Sequence, residues 1–532
     1  MGIDAYKAAG LHLTKWLASK IKIIWPFTWA KIPRIYDVFL HVAVFFSLIT
    51  FIAFFIISNH ALSIWFDESY SLWATNNNLG FRYLFSDILR HETNPPVYFV
   101  LLKLARLIYD QDIFTGKLLN IFILFLSILV ILKENSGKHL KNIFLCVILG
   151  SSASLAYAGE IRPLFSAICV AHVLSYFYIM AESREISRPF IKTITASVLL
   201  SLIHVYGAIF AISIALAVAL SGFLYKRNDL TKLSLTTLVF SFSAFLVWWI
   251  WINSTDRDAL ATVRWLSNDP MFIVAALKEG AGYIIGRGAI SYAVALLAFV
   301  FFALSKNIRI SRLIFLSTMG LFFFLPVLIS WKVPIVFGRY FAIGCGPLLA
   351  MFLTCAWREV NSRNFEQYDI RKVILASCGI ALFIITAVLG PITAINALRY
   401  RPYWTGIDTV TKFAGECSNR KIRVIDPINL DETFRSERAS AHVLYGYKLL
   451  ATRSGFDIAD GRESIRDVSE IDCPVVAWIE HSNLFEDGRE AVTLSQLRAL
   501  RLTNRYGLTL SVFRHRMGAV VVKTSTVSAV SE

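Results

Sequence analysis

Charge is scarce in this chain: of 532 residues only 17% are Asp, Glu, Lys or Arg, while 56% are hydrophobic. Ordinary soluble domains carry about 25% charged residues. A soluble core of this length could not bury so many large apolar side chains, so the bilayer must be the solvent for much of the chain. Zinc-like cysteine spacing is also missing. Five of the seven cysteines (Cys146, Cys169, Cys345, Cys355 and Cys378) stand in apolar runs and read as small buried hydrophobes. Cys417 and Cys473 lie in a polar tail, where a disulfide between them would suit an oxidising compartment. A cleavable signal peptide is not expected, because the first long apolar run starts only near Val38, after Lys7, Lys15, Lys20, Lys22, Lys31 and Arg34. Trp16, Trp25 and Trp29 suit that basic segment to the membrane interface. Neither a half-to-half repeat of the transporter kind nor a soluble catalytic motif in the tail is apparent.

The formal net charge is +16. A basic balance can mark a nucleic-acid binder, but here Lys and Arg fall in short clusters between apolar runs. That is the pattern of the positive-inside rule, and no nucleic-acid partner is expected. The first span, 38–57, has the length of a crossing, and the six basic residues before it place its start inside and its end outside. Residues 58–117 then form a long first outer loop. Within it, Val97–Ile108 is apolar but contains Lys103 and Arg106 and is short for a crossing. A re-entrant or interfacial helix opened by Pro95 and Pro96 is expected there. A true span would put five later basic clusters outside: Lys133/Lys138/Lys141, Arg184/Arg188/Lys192, Lys226/Arg227/Lys232, Lys306/Arg309/Arg312 and Arg358/Arg363/Arg371/Lys372. A re-entrant helix puts all five inside.

Further spans are expected at 118–132, 143–158, 163–180, 191–204, 207–225, 232–252, 289–305, 313–331, 341–357 and 372–392. That makes about eleven crossings against a nominal 20-residue span, an odd number that leaves the C-terminus outside. From about Asn396 the chain turns polar, with strand-like runs KIRVID, PVVAWIE and AVVVKT among helix-like stretches, long enough for a small domain. The expected fold is mainly α: a basic cytoplasmic segment 1–36, a polytopic transmembrane helix bundle 37–395, and a small α/β extracytoplasmic domain 396–532.

Five clusters hold residues that could carry chemistry. Asp67 and Glu68 follow the first span by about ten residues, flanked by Trp65, Phe66 and Tyr70. They read either as a general base, worth typically about 10²–10⁴ in rate, or as a solvated acidic loop start. His91, Glu92, Thr93 and Asn94 precede the double proline; the plainer role is a polar loop with Asn94 as helix cap. Glu160 and Arg162 stand between two apolar runs, as site residues or as a local ion pair. His204 and Tyr206 occupy the next outer turn. Arg257, Arg264, Lys278, Arg287, Lys332 and Arg339 break the positive-inside trend. Arginine among them could bind phosphate bidentately, although contact with membrane lipid headgroups is an ordinary role for each.

In order and spacing, FDESYSLW, ETNPPVYFVLLKL, YAGEIRPLFSAICVAH, LIHVYGAIF and PIVFGRYFAIGCGPLLA resemble the C-type superfamily of membrane glycosyltransferases. The likeness is greatest to family 39-like enzymes and the bacterial branch that includes lipid-A galacturonosyltransferases, and it covers roughly residues 35–357. The resemblance implies a multi-pass enzyme of the bacterial inner membrane. Such an enzyme moves a sugar from a polyprenyl-phosphate donor to an extracytoplasmic acceptor: lipid A or core, polysaccharide or protein. It implies Asp67, with Glu68, as the catalytic pair, and Glu92, Asn94, Glu160, Arg162, His204, Tyr206, Arg339 and Tyr340 as donor-phosphate or substrate contacts. Asn94 stands where the family often has histidine, and Gly159 where it often has glutamine. Some members use a divalent cation and others none; Asp67, Glu68 and Glu92 could hold one, and no metal ligand is assigned. A transporter or lipid flippase is the competing expectation, and a non-catalytic anchor for the tail a further one.

Overall fold

The computed structural model describes residues 32–61, 66–90, 92–255, 269–285 and 310–360, and in the tail 391–392, 421–425, 445–446, 448–449, 457–460, 475–478, 508–512 and 519–524. Outside the described residues lie the basic segment up to residue 31 and His91, Arg257, Arg264 and Arg287. So do the span expected at 289–305, all but the last two residues of that at 372–392, Cys378, and the Cys417–Cys473 pairing.

Long apolar runs become helices because a backbone without water must satisfy its own hydrogen bonds. In chain order these are α1 (Ile32–Ala61), α2 (Phe66–Ala74), α3 (Val97–Ile108), α4 (Asp112–Lys133), α5 (Lys138–Gly150), α6 (Ser152–Tyr157) and α7 (Pro163–Ser183). There follow α8 (Pro189–Ile203), α9 (Val205–Leu224), α10 (Asn228–Thr255), α11 (Pro270–Ile285), α12 (Ile310–Ser330) and α13 (Ala342–Val360), the last preceded by a 3₁₀ turn, Gly338–Phe341. Among the described residues seven helices are long and apolar enough to cross a membrane: Val38–Ile57, Asp112–Lys133, Pro163–Ser183, Val205–Leu224, Asn228–Ser254, Ile310–Ser330 and Gly338–Arg358. The chain is therefore a multi-pass membrane protein, mainly α.

One expected span is not a single helix. Residues 143–158 divide at Ser151, whose extended backbone (φ −67°, ψ 145°) ends α5, and whose Oγ accepts the Ser154 N–H at 3.3 Å to start α6. A serine offering its own acceptor in place of the helical ladder makes a cap, and here it converts one apolar run into two short helices.

Val97–Ile108 is the helix expected, twelve residues or about 18 Å long and too short to cross. Its polarity is turned inward. Leu101, Leu104, Leu107 and Ile108 are exposed, while Lys103 and Arg106 are buried. Lys103 Nζ donates to the carbonyls of Asn76 (2.5 Å) and Leu79 (2.7 Å); Arg106 donates to the Leu72 carbonyl and Thr75 Oγ1 and pairs with Asp112. An apolar outer face and cations spent on the loop's own carbonyls suit a helix lying against lipid.

The basic clusters of the described residues gather at one end of the bundle. There Lys192 pairs with Glu134 (2.5 Å), Arg227 with Asp229 (2.8 Å) and Arg358 with Glu182. In the tail, β1 (Lys421–Ile425), β2 (Asp457–Asp460), β3 (Val475–Trp478), β4 (Leu508–Val512) and β5 (Ala519–Thr524) form one mixed sheet in the order β2-β1-β3-β5-β4. β1 runs parallel to β2 and β3, while β5 pairs antiparallel with β3 and β4. The three strand-like runs of the sequence are β1, β3 and β5.

Candidate functional site

At the end of the bundle opposite the ion-paired basic clusters, three turns and the first loop meet. α2 brings two carboxylates in its first turn, where the positive end of the helix favours them. They diverge in role. Glu68 is fully buried, and its Oε1 accepts the Ile161 N–H at 2.8 Å. Asp67 is partly open, with its side chain 23% exposed, and its Oδ2 lies 2.7 Å from Arg339 Nη2 and 3.9 Å from Arg162 Nη2. Two guanidiniums thus converge on one carboxylate.

The turn carrying Arg162 is held from below. Asn120 of α4, itself fully buried, donates Nδ2 to the carbonyls of Glu160 (2.7 Å) and Ala158 (3.2 Å). Gly116, one turn earlier on α4, lets Ile161 approach so closely that an added Cβ would meet its side chain. Pro163 opens α7 at its first turn, where the missing N–H costs nothing, and Arg162 is the extended residue before it. Burial works against the Arg162 charge, and the facing carboxylates of Asp67 and Glu92 more than restore it, so the guanidinium holds its proton above the ordinary arginine range. Arg162 does not form the local ion pair with Glu160 that its spacing suggested; its guanidinium goes to Asp67 and to the Asp67 carbonyl (3.3 Å).

Arg339 sits in the 3₁₀ turn before α13, its guanidinium 5.1 Å from the Phe337 ring centre and 5.3 Å from that of Tyr340. Tyr340 in turn stands edge-to-face on His204 at 4.9 Å. His204 caps α9: its Nδ1 accepts the Tyr206 N–H at 3.0 Å, which leaves Nε2–H as the donor of the neutral ring. Burial, and then the charges of Arg162 and Arg339, hold its pKa down at about 3.

A small pocket opens among these groups, lined by Asn94, Glu160, Arg162, Pro163, Leu164, His204, Arg339 and Tyr340. Six of the residues expected from the motifs meet in it. Asp67, Glu68, Glu92 and Tyr206 are not among its lining residues. Asn94 is not the cap of α3, which begins after Pro96 without a side-chain cap; its amide and backbone N–H both donate to Glu92 Oε1, at 2.8 and 3.1 Å. Glu92 is spent on that contact and does not line the pocket. Tyr206 lies behind the pocket as a strut: its hydroxyl donates to the Ile335 carbonyl (2.9 Å) and accepts the Phe337 N–H (3.3 Å), fixing the segment that leads to Arg339. Lys278 and Lys332 are exposed and do not line the pocket.

Asp67, Glu68 and Glu92 face three different partners and do not converge on a point where one cation could sit. Among the described residues no group of three or more His, Cys, Asp or Glu is placed to hold a metal ion. Sequence reasoning missed Asn120, although an asparagine inside an apolar run is a costly residue that asks for a reason. It also missed α11, which carries Glu279 against the Arg339 turn and Tyr283 against α6.

No family model matches the chain, and no curated protein matches it. Among solved structures it is similar to ArnT from Cupriavidus metallidurans bound to undecaprenyl phosphate, at 11% identity over 93% of this chain and 99% of that one, with a TM-score of 0.46. It is also similar to the oligosaccharyltransferase AglB from Archaeoglobus fulgidus in complex with an inhibitory peptide and a dolichol-phosphate, at 12% identity over 92% of this chain and 74% of that one, TM-score 0.45. An oligosaccharyltransferase from Archaeoglobus fulgidus in complex with Zn and sulfate is similar at 13% identity over 90% of this chain and 72% of that one, TM-score 0.43.

Proposed function

We propose that this chain is an inverting membrane glycosyltransferase that moves a sugar from a polyprenyl-phosphate carrier to an acceptor hydroxyl on the extracytoplasmic face of a bacterial plasma membrane. The observation that carries the proposal is the Asp67 carboxylate held between Arg162 and Arg339 at a polar pocket on the end of the bundle away from the basic clusters.

The chemistry follows from what each group can do. A carrier phosphate presents the anion that two arginines bind best, and competes with Asp67 for their guanidinium groups. The freed carboxylate orients an acceptor hydroxyl and accepts its proton as the oxygen attacks the anomeric carbon. The bond from that carbon to the phosphate oxygen breaks on the opposite side, its electron pair leaves on the phosphate, and the configuration inverts. Arg162 and Arg339 stabilise that growing charge, a contribution of a few kcal/mol per donor in sites of this kind. His204 stays neutral and offers Nε2–H, while Asn94 offers an amide; both suit hydroxyl recognition. Glu68 holds Ile161 and so aligns the Arg162 turn. Lipid A or core, polysaccharide and protein remain acceptor classes that this chemistry serves equally.

Mass spectrometry of the lipids and surface glycans of a deletion strain tests the proposal. The expected result is the loss of one sugar mass from one acceptor, restored by the wild-type chain and not by Asp67→Asn. Full restoration by Asp67→Asn would sink the catalytic assignment, and an unchanged glycan profile alongside altered lipid distribution would favour a flippase.

A further inference from the structure

The proposed phosphate subsite consists of two arginines on turns far apart in sequence, 162 and 339, so something must fix the distance between them. α11 touches the Arg339 turn and α6, the short helix that leads into the Arg162 turn. On one side its Glu279 packs against Gly338, where an added Cβ would lie 2.7 Å from the glutamate Cβ, so only glycine lets the 3₁₀ turn come this close. One residue on, Gly280 packs under Phe341, with an added Cβ 2.8 Å from the phenylalanine Cβ, and the Gly280 carbonyl accepts from Cys345 Sγ at 3.3 Å. On the other side Tyr283, a turn later on the same helix, reaches α6, which ends at Tyr157 and leads into the Arg162 turn. Its hydroxyl lies 2.7 Å from that of Tyr157, and its carbonyl accepts from Ser152 Oγ at 3.1 Å. The two sides are joined within α11, since Tyr283 donates to Glu279 Oε1 at 3.4 Å, which leaves Tyr157 as donor to Tyr283. Tyr157 and Tyr283 are both buried.

We infer that Glu279, Tyr283 and Tyr157 are positioning residues that set the Arg162–Arg339 spacing, and with it the affinity for a lipid-linked phosphate; this rests on the function proposed above. None of the three touches the pocket, so they act through the arginines. A helix packed on the Arg339 turn and on α6, which runs into the Arg162 turn, transmits a shift of one to the other, because close-packed contacts have little room to absorb it. Loss of the Tyr283–Tyr157 hydrogen bond removes the hydroxyl tie while keeping both rings in place.

Undecaprenyl phosphate alone is the probe, since it carries the phosphate and needs no sugar. Its affinity is measured by thermophoresis on the full chain in nanodiscs, next to the thermal midpoint. Tyr283→Phe is expected to weaken binding by about 3- to 10-fold, the equivalent of one buried hydrogen bond. Tyr157→Phe breaks the same bond from the other side and is expected to match it, which covers the case of one variant failing to fold. The control is Tyr176→Phe, which loses comparable hydroxyl bonds to Ser136 and Ile131. It should lower the thermal midpoint without changing affinity. Combined with Arg339→Lys, Tyr283→Phe should add little to the loss from Arg339→Lys alone. Wild-type affinity in both phenylalanine variants, or fully additive losses, overturns the inference. If Arg339→Ala and Arg162→Ala also bind undecaprenyl phosphate like wild type, the donor-site reading falls with it; if they lose affinity while the tyrosine variants do not, only the positioning role falls.

Discussion

The centre and the edge of the helix bundle differ in what they are made to do. In the most apolar 18 residues of Pro163–Ser183 and of Gly338–Arg358, 94% are buried inside the protein; in those of Val38–Ile57 and Asn228–Ser254 only 28% and 22% are. The central pair buries small and large residues alike (Ala167, Cys169, Ala171, Cys345, Ala350), whereas the edge presents Phe45, Phe46, Ile49 and Val247 outward. Both site arginines sit at the starts of the two central helices. A cation mounted there is held by packing on every side, while one on an edge helix would be held by little more than lipid. Catalysis by fixed charges requires groups that do not reorganise as the reaction proceeds, so the most enclosed helices are the place to mount them.

The comparison can be broken at its functional end first. Asp67→Asn keeps the size of the side chain and removes the proton acceptor, so sugar transfer should fall by about 10²–10⁴-fold. Undecaprenyl phosphate affinity should hold or rise, since the competing carboxylate has lost its charge. A variant that keeps wild-type transfer rates in membranes would remove Asp67 from the chemistry. Next comes packing. Ile168→Ala on α7, at a fully buried position, should cost about 2–5 kcal/mol of stability in detergent. Ile52→Ala on α1 removes an exposed side chain and should stay within about 0.5 kcal/mol. Equal thermal shifts in the two would erase the distinction between centre and edge.

A gentler probe is pH. The buried His204 is held neutral down to about pH 3, while an unfolded histidine takes up its proton near pH 6.5. Between these values the unfolded state binds more protons, so this stabilisation is complete above pH 6.5 and is lost as pH falls toward 3. The thermal midpoint should drop on acidification from pH 7 to 4, and His204→Gln should flatten that slope; an unchanged slope would mean the ring is protonated in the folded site. A modest effect is expected from Tyr206→Phe, which frees the Ile335 carbonyl and Phe337 N–H at a cost of about 1 kcal/mol. Its signature is a lower thermal midpoint with a modest loss of donor affinity.

Much of the site was legible in the sequence because cost is legible there. Asp67, Glu160, Arg162, His204 and Arg339 interrupt or border apolar runs, and a charge at such a place has to be used or matched. The helix Val97–Ile108 could be placed to the residue because two prolines open it and two cations mark its inner face. What could not be read were choices made by neighbours distant in sequence. Whether residues 143–158 cross in one piece turned on Ser151 preferring its own hydroxyl to the helical ladder. That Asn94 would turn to Glu92 and not cap α3, and that Tyr206 would prop the Arg339 segment from behind, depended on which groups the fold brought alongside. Glu279 and Tyr283 gave no local signal, since their partners lie at 338 and 157.

Arg106 also reaches a residue 339 positions further along the chain: its Nη2 donates to the Tyr445 hydroxyl at 3.0 Å, and Tyr445 donates to Asp112 at the same distance. Arg106 is synthesised well before the tyrosine that completes its anchor. Until then it has local partners, Leu72, Thr75 and Asp112. Contacts between residues so far apart in sequence are slow to close, so this anchor is completed after its local bonds have formed.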